Sequence, residues 1–257
     1  MGPAFVPAVA HTYSERLDDS IRIEGDDGHH LQRVRRLRAG EVMTVADGYG
    51  RWRVYEVVDA GEGTLHLRAT SGFEHEAPLA PALAVACSLT KGDRPELVVQ
   101  KLTELGVDRV VFVEAERSVV HWNESRARTA MTRLGRVARE AGAQSRRARL
   151  PTLDGPVSPR ELAGHPGLVV SDVTGVTADA FAVPSLPFAS HPEWLVAIGP
   201  EGGFTGPELE AFGAAPRLAV GPYVLRAETA AIAAAAALAG FRRRTPGWHP
   251  PGAGAGH

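Results

Sequence analysis

From residue 83 onward the chain repeats one pattern, a short apolar run and then a stretch with helical periodicity. The runs at 83–89, 110–113, 168–171, 194–198 and 218–220 have the length and composition of strands buried on both faces. Helical segments between successive buried strands require crossover connections, so the sheet is largely parallel and the fold class is α/β. Several helix ends are legible. Asp93-Arg94-Pro95-Glu96 reads as a capping box with proline in the first turn, and Gly106 as the stop of that helix. Asn123 can cap a longer helix reaching about Gly142, Thr205-Gly206-Pro207-Glu208 is a second capping box, and 227–239 is a helix made largely of alanine. Such a narrow helix can press closely against a neighbour or a second subunit.

The first 75 or so residues differ in character. Segments 41–46 and 51–58 alternate apolar and polar residues on either side of the hairpin-type turn Asp47-Gly48, and 64–69 supplies another strand. Asp26 and Asp27 can cap a short helix whose Leu31, Val34 and Leu37 form an apolar stripe ended by Gly40. A proline-containing connector, 74–81, separates this β module from the alternating strands and helices. The expected organisation is a β domain over 1–76, an α/β domain over 77–244 and a flexible tail over 245–257.

A length of 257 residues accommodates two such domains, and 44% hydrophobic with 23% charged residues excludes disordered, collagen-like and coiled-coil classes. The lone cysteine, Cys87, excludes an internal disulfide and a multi-cysteine metal site, and its place in an apolar run makes it core. No signal segment or membrane-length apolar run is present, so the expected location is the reducing cytoplasm, away from membranes. Net charge is only −2, but the distribution is uneven. Segment 126–149 carries eight arginines against the single acid Glu140, either a phosphate-facing surface or a solvated helix face. His29-His30 lacks a helical i, i+4 partner or nearby cysteines, so no metal site is expected there.

Two loops carry the chemistry. Ile198-Gly199-Pro200-Glu201-Gly202-Gly203-Phe204 comes after one apolar run, and Val220-Gly221-Pro222-Tyr223-Val224-Leu225-Arg226 after another. Both leave the carboxyl end of a strand, where open α/β sheets place ligands, and glycines let backbone approach a ligand closely. Either loop alone reads equally well as a tight turn; two on successive strands point to a site. Neither fits the P-loop or the dinucleotide fingerprint, which disfavours phosphoryl transfer and nicotinamide chemistry.

The residues IGPEGGFTGPELE and VGPYVLRAETAAIAAAAAL resemble the two C-terminal signatures of the RsmE family, the 16S ribosomal RNA uridine N3-methyltransferases of the SPOUT class. The likeness continues in KGDRPELVVQKLTELGVDRVVFVEAERSVV, in AREAGAQSRR and in HHLQRVRRLRAGEVMTVADG, covering nearly the whole chain up to about Arg244. The resemblance implies an N-terminal PUA-like β-barrel that helps hold RNA, a C-terminal domain tied in a trefoil knot, a homodimer, and S-adenosylmethionine bound in the knotted loops. Carried over, Ile198, Gly199, Pro200 and Gly202, with Val220, Gly221, Val224, Leu225 and Arg226, form the cofactor pocket, closed by Thr229 and Ala230. Arg33, Arg35, Arg36, Arg94, Arg139, Gln144 and Arg146 are the RNA-contacting candidates; for Arg94, Arg139, Gln144 and Arg146 the alternative is a structural polar network.

The implied partner is 16S ribosomal RNA in the small ribosomal subunit. Uridine N3 becomes nucleophilic only once its proton leaves, and a fixed cation stabilises the charge spread onto O2 and O4. Arg226 is the candidate for that cation, its alternative being an ion pair with Glu228 or Glu201. Glu201 is either a base or an orienting carboxylate. The chain departs from the family pattern at Tyr223, where an arginine is common, and in its N-terminal extension. Rival readings are another SPOUT activity (ribose 2′-O or guanine N1 methylation), a non-catalytic RNA-binding assembly factor, and an oxidoreductase.

Overall fold

The computed structural model describes residues 2–33, 36–183 and 192–244. Among these residues the chain forms two compact units, one of 2–78 with 139–150, the other of 79–138 with 151–244.

The first unit contains β1 (Ala10–Tyr13), β2 (Ser20–Ile23), α1 (Gly25–Arg33), β3 (Val42–Ala46), β4 (Arg51–Gly61), β5 (Thr64–Ala69) and β6 (Glu74–His75). Its sheet runs β1-β3-β4-β5-β2, with β6 paired to β4. The β3–β4 hairpin expected around Asp47-Gly48 is present. Asp47 Oδ1 accepts hydrogen bonds from the Tyr49 and Arg51 amides at 2.7 and 3.1 Å, and Gly48 and Gly50 take φ of +83° and +110°. Met43, Val45, Tyr55, Val57, Leu65 and Leu67 face one way by the two-residue strand period and bury against Ile21, Ile23, Leu31 and Leu37. The α1 stripe is shorter than the sequence suggests. Helix α1 ends at Arg33, so Leu37 is buried from beyond the helix, and Val34 lies outside the described residues.

Residues 139–150 complete this unit. Arg139 donates to Asp27 Oδ2 at 2.9 Å and to the Tyr13 carbonyl at 2.6 Å, with its guanidinium 5.3 Å from the Tyr13 ring centroid. Gly142 permits close packing, because a Cβ there would overlap the Tyr13 hydroxyl. Arg146, at φ +55°, donates to the Val6 and Ala8 carbonyls. His11 is buried between Thr44 Oγ1 at 2.8 Å and the Arg147 carbonyl at 3.0 Å. Burial lowers its imidazole to about 4, with nearby Arg146 and Arg139 acting in the same direction.

The second unit contains β7 (Ala82–Ser88), α2 (Arg94–Glu104), β8 (Arg109–Val113), the first part of α3 (Glu124–Ser145), β9 (Thr152–Val157), α4 (Pro159–Leu162), β10 (Leu168–Thr177), β11 (Glu193–Ile198), α5 (Gly206–Ala211), β12 (Arg217–Ala219) and α6 (Ala227–Arg242). The sheet order is β12-β10-β11-β7-β8-β9, and every pairing is parallel. Alternate residues of β7 feed different cores. Leu83, Val85 and Cys87 join Val98, Leu102, Leu134, Ala231 and Leu238 on one face, whereas Ala84 and Ala86 join Leu162, Phe204 and Phe212 on the other. Both faces are therefore covered by helices, as a parallel sheet requires. Cys87 is core, and burial pushes its thiol up to about 12.

The helix ends differ in one respect from the sequence reading. Thr205 and Glu208 form the expected capping box, and Gly106 ends α2 at φ +81°, with the Val107 amide returning to the Leu102 carbonyl. Asp93, by contrast, makes no side-chain cap. Its ψ of 5° is not the extended geometry a capping side chain needs, and Glu96 pairs with Arg133 at 2.9 Å instead of closing the box. Strand β9 has no apolar run to mark it in the sequence. It is an edge strand interrupted by Gly155-Pro156, where proline is tolerated. None of the described helices is long and apolar enough to cross a membrane.

Candidate functional site

Strands β12, β10 and β11 are neighbours, and their carboxyl ends open onto one cavity of about 300 Å³. The loop after β11 contributes Ile198 to Phe204, the loop after β12 contributes Val220, Gly221, Tyr223, Val224 and Leu225, and Ala227 and Ala230 come from the first turn of α6. The sheet has by then reversed its direction of growth, since β8 and β9 add on one side of β7 and β11, β10 and β12 on the other. Such a reversal opens a crevice at the carboxyl ends of the strands.

The β11 loop is held from several sides. Ser88 Oγ donates to the Ile198 carbonyl at 3.0 Å, and Arg117 Nη1 donates to the Gly202 carbonyl at 2.6 Å. Glu208 accepts from the Thr205 amide at 2.7 Å and from the Glu116 amide at 2.8 Å, so the α5 capping box also ties the loop to the segment after β8. Gly199 packs tightly. A Cβ there would stand 3.2 Å from both the Phe204 ring and the Phe204 amide nitrogen. Gly203 is required by conformation, at φ +68°.

Of the residues expected to hold the cofactor, Ile198, Gly199, Pro200, Gly202, Val220, Gly221, Val224, Leu225 and Ala230 line this one cavity. Arg226 and Thr229 do not. Arg226 is the exposed residue preceding α6, in extended conformation at ψ 153°, and Thr229 is exposed in the first turn. The ion pair that the sequence allows Arg226 is made by another residue. Arg94 Nη1 reaches Glu201 at 3.1 Å, and Arg94 Nε lies 3.5 Å from Glu228, which is buried. Glu201 is thus engaged by a guanidinium, an orienting rather than a proton-accepting arrangement.

Sequence reasoning missed the third wall. Ser171, Asp172 and Val173, at the carboxyl end of the apolar part of β10, line the cavity beside both loops. The signal was available as a polar pair, Ser171-Asp172, directly after an apolar strand. Burial acts to raise the Asp172 carboxyl, but hydrogen bonds from the Thr174 amide and hydroxyl and from Arg217 at 3.0 Å outweigh it and hold it below its ordinary range. Asp172 is therefore an anion at neutral pH. The cavity combines apolar walls, approachable glycine backbone and carboxylates at Asp172 and Glu201, which suits a flat ligand carrying positive charge.

The RNA candidates fall into separate environments. Arg94 sits in the ion-pair cluster beside the cavity, while the guanidinium groups of Arg139 and Arg146 are engaged within the first unit. Gln144 and Arg36 are exposed. Arg35 and the side chain of Arg33 lie outside the described residues.

Comparison with known proteins identifies the family. Residues 75–239 match the RNA methyltransferase domain family and residues 23–70 the RNA methyltransferase PUA domain family. The ribosomal RNA small subunit methyltransferase E of Mycobacterium bovis is 36% identical over 228 residues, 84% of each chain. That of Synechocystis is 33% identical over 82% of this chain and 69% of its own. The crystal structure of the Neisseria gonorrhoeae ribosomal RNA small subunit methyltransferase E bound to S-adenosyl methionine superposes with a TM-score of 0.75 at 25% identity, covering 90% of this chain and 97% of that one. Two domain matches in chain order, relatives above 30% identity over most of both chains, and a shared fold place this chain in the ribosomal RNA small subunit methyltransferase E family.

Proposed function

We propose that the chain binds S-adenosylmethionine in the cavity between the β11 and β12 loops and methylates N3 of a uridine in 16S ribosomal RNA of the small ribosomal subunit, acting as a cytoplasmic homodimer. The observation that carries this reading is the convergence of two glycine loops, separated by some twenty residues of sequence, on one cavity.

The residues present suit the cofactor. Ile198, Val220, Val224 and Leu225 offer apolar surface, Gly199, Gly202 and Gly221 offer backbone without an intervening Cβ, and Asp172 and Glu201, each held by an arginine, offer oriented carboxylates as hydrogen-bond acceptors. When bound, S-adenosylmethionine supplies an electrophilic methyl group on a sulfonium. What this chain supplies is chiefly position. Methyl transfer is an in-line displacement, and fixing donor and acceptor in line is worth several orders of magnitude in rate. Loss of the N3 proton to solvent water leaves a uridine anion whose charge a nearby cation stabilises. Arg226, exposed at the start of α6 and flanked by the lining residues Leu225 and Ala227, is assigned that role.

The exposure of Tyr223 and Val224, 78% and 79%, supports seating the second copy against the β12 loop. The test is binding and transfer together. Calorimetry with S-adenosylmethionine should give a saturable single site, and labelled methyl should pass to small ribosomal subunits isolated from cells lacking their own methylation. Tight RNA binding with no cofactor binding would replace this reading by that of an assembly factor.

A further inference from the structure

The walls of the cavity between the β11 and β12 loops divide by exposure. Val170, Ile198, Phe204 and Ala227 are buried, whereas Val173, Tyr223 and Val224 line the same cavity and are exposed. The first group forms the inner walls and the second the mouth. Two aromatic rings contribute to the lining, Phe204 and Tyr223. Phe204 belongs to the core, packed edge-on against Phe212 with 5.0 Å between ring centroids. Tyr223 is 78% exposed, and among the described residues no hydrogen bond or ring contact engages it. Its ring is therefore the aromatic surface that this cavity leaves available to a ligand.

The chemistry of the transfer places that ligand. An in-line displacement needs the acceptor nitrogen opposite the departing sulfur, with the methyl group between them. With the cofactor held on the inner walls, the uracil has to enter by the mouth. A base reaches such a site only when it is turned out of its stack, which costs it the contacts that held its plane. An aromatic face restores them, and proteins that bind unstacked bases use rings in this way. The loop also separates two tasks. The face of an aromatic ring carries partial negative charge, so Tyr223 favours the neutral base as it docks, while Arg226, three residues further along, is assigned the anion that follows. A ring has two faces, so one turned to the cavity is compatible with a second copy seated outside the loop.

We propose that Tyr223 is the stacking platform that holds the target uracil at the mouth of the cofactor cavity. It is a contact to the substrate base that fixes the plane in which N3 meets the methyl group. The proposal rests on the reading that the chain methylates a uridine.

The experiment uses the full chain with small ribosomal subunits lacking native methylation. Base docking is a step within the bound complex, so the rate is read in single turnovers with enzyme and S-adenosylmethionine saturating. Tyr223→Leu keeps apolar bulk but loses the flat face, and should slow transfer about tenfold; Tyr223→Phe keeps the face and should transfer within about twofold of the parent. Cofactor affinity by calorimetry and dimerisation by light scattering accompany each variant and should stay within a few-fold of the parent. A second readout is independent of transfer. Subunits reassembled on 16S RNA transcribed with 5-iodouridine are irradiated with the protein, which joins the uracil C5 to a ring stacked on it with loss of hydrogen iodide. Mass spectrometry should place a cross-link on Tyr223, retained in Tyr223→Phe and absent from Tyr223→Leu.

Equal transfer rates in the Phe and Leu variants, with no cross-link at 223, overturn the proposal. A Leu variant that loses cofactor affinity in step with its rate makes Tyr223 a cofactor contact, and one that becomes monomeric leaves it to the second copy; either result also overturns it. A cross-link at Tyr223 in a parent protein that transfers no methyl would sustain the platform and sink the enzymatic reading, so the two fail separately.

Discussion

Arg94, at the start of α2, donates from Nη1 to Glu201 across 3.1 Å, tying the N-terminal end of that helix to the glycine loop after β11. The same guanidinium faces the buried Glu228, one of whose oxygens has no hydrogen-bond partner among the described residues. One arginine thus serves carboxylates beside both cavity loops. Arg94→Ala should loosen both, leaving the buried Glu228 without its cation, and S-adenosylmethionine affinity should fall about tenfold by calorimetry. Arg94→Lys, which keeps the charge but not the two-sided fork, should recover only part of it.

Arg226 makes neither of the ion pairs of Arg94, and the proposed function assigns it to the uridine anion. Arg226→Ala should therefore lower turnover about 100-fold or more while leaving cofactor affinity within a few-fold of the parent, the range seen on removing one stabiliser of developing negative charge. Single-turnover methyl transfer and calorimetry on the same preparation check it. Equal losses in both would make Arg226 a cofactor ligand.

Gly221 lines the cavity, and a Cβ there would meet Leu225 at 3.6 Å, an ordinary contact. Gly221→Ala should fold as the parent does and weaken cofactor binding by about a few-fold. Gly221→Val should fold equally well but fill the cavity, with cofactor affinity reduced more than tenfold. A melting curve beside the binding isotherm distinguishes blocking from unfolding.

The first unit should lose stability on mild acidification. His11 is buried and its folded value lies near 4, below the ordinary 6.5. A histidine lowered in the folded state binds its proton more readily when unfolded, so its contribution is intact above about 6.5 and declines as pH falls toward 4. His11→Gln should flatten that part of the stability–pH curve measured by denaturant melts.

At the amino ends of the strands, Glu193 accepts from Arg109 Nε at 3.1 Å and lies 3.2 Å from His165. Burial opposes ionisation of this carboxyl, but the His165 and Arg109 contacts prevail and bring it to about 2. Its stabilisation is therefore held above about pH 4.5 and lost as pH falls toward 2. Glu193→Gln should cost about 2 kcal/mol, a melting shift of about 4–8 °C at neutral pH.

Much of the second unit was legible in the sequence because its signals are local. Apolar runs marked β7, β8, β10, β11 and β12, and the Thr205–Glu208 box and Gly106 marked helix ends. Strand β9 was hidden because its residues are neither apolar nor alternating, and pairing to β8 alone defines it. Both glycine loops were found, but their meeting with Ser171 and Asp172 depends on the order β12-β10-β11, a long-range property no local pattern contains. The arginine-rich segment shows the same limit of local pattern. Net charge in sequence does not reveal that Arg139 and Arg146 are turned onto Asp27 and onto backbone carbonyls of the first unit.

The central claim is tested most directly on the product. Small ribosomal subunits lacking native methylation, incubated with the full chain and S-adenosylmethionine carrying labelled methyl, are digested to nucleosides and resolved by mass spectrometry. The label should appear in 3-methyluridine at a single position of the 16S RNA. Label in a ribose 2′-O-methyl nucleoside or in 1-methylguanosine would contradict the assignment of uridine N3.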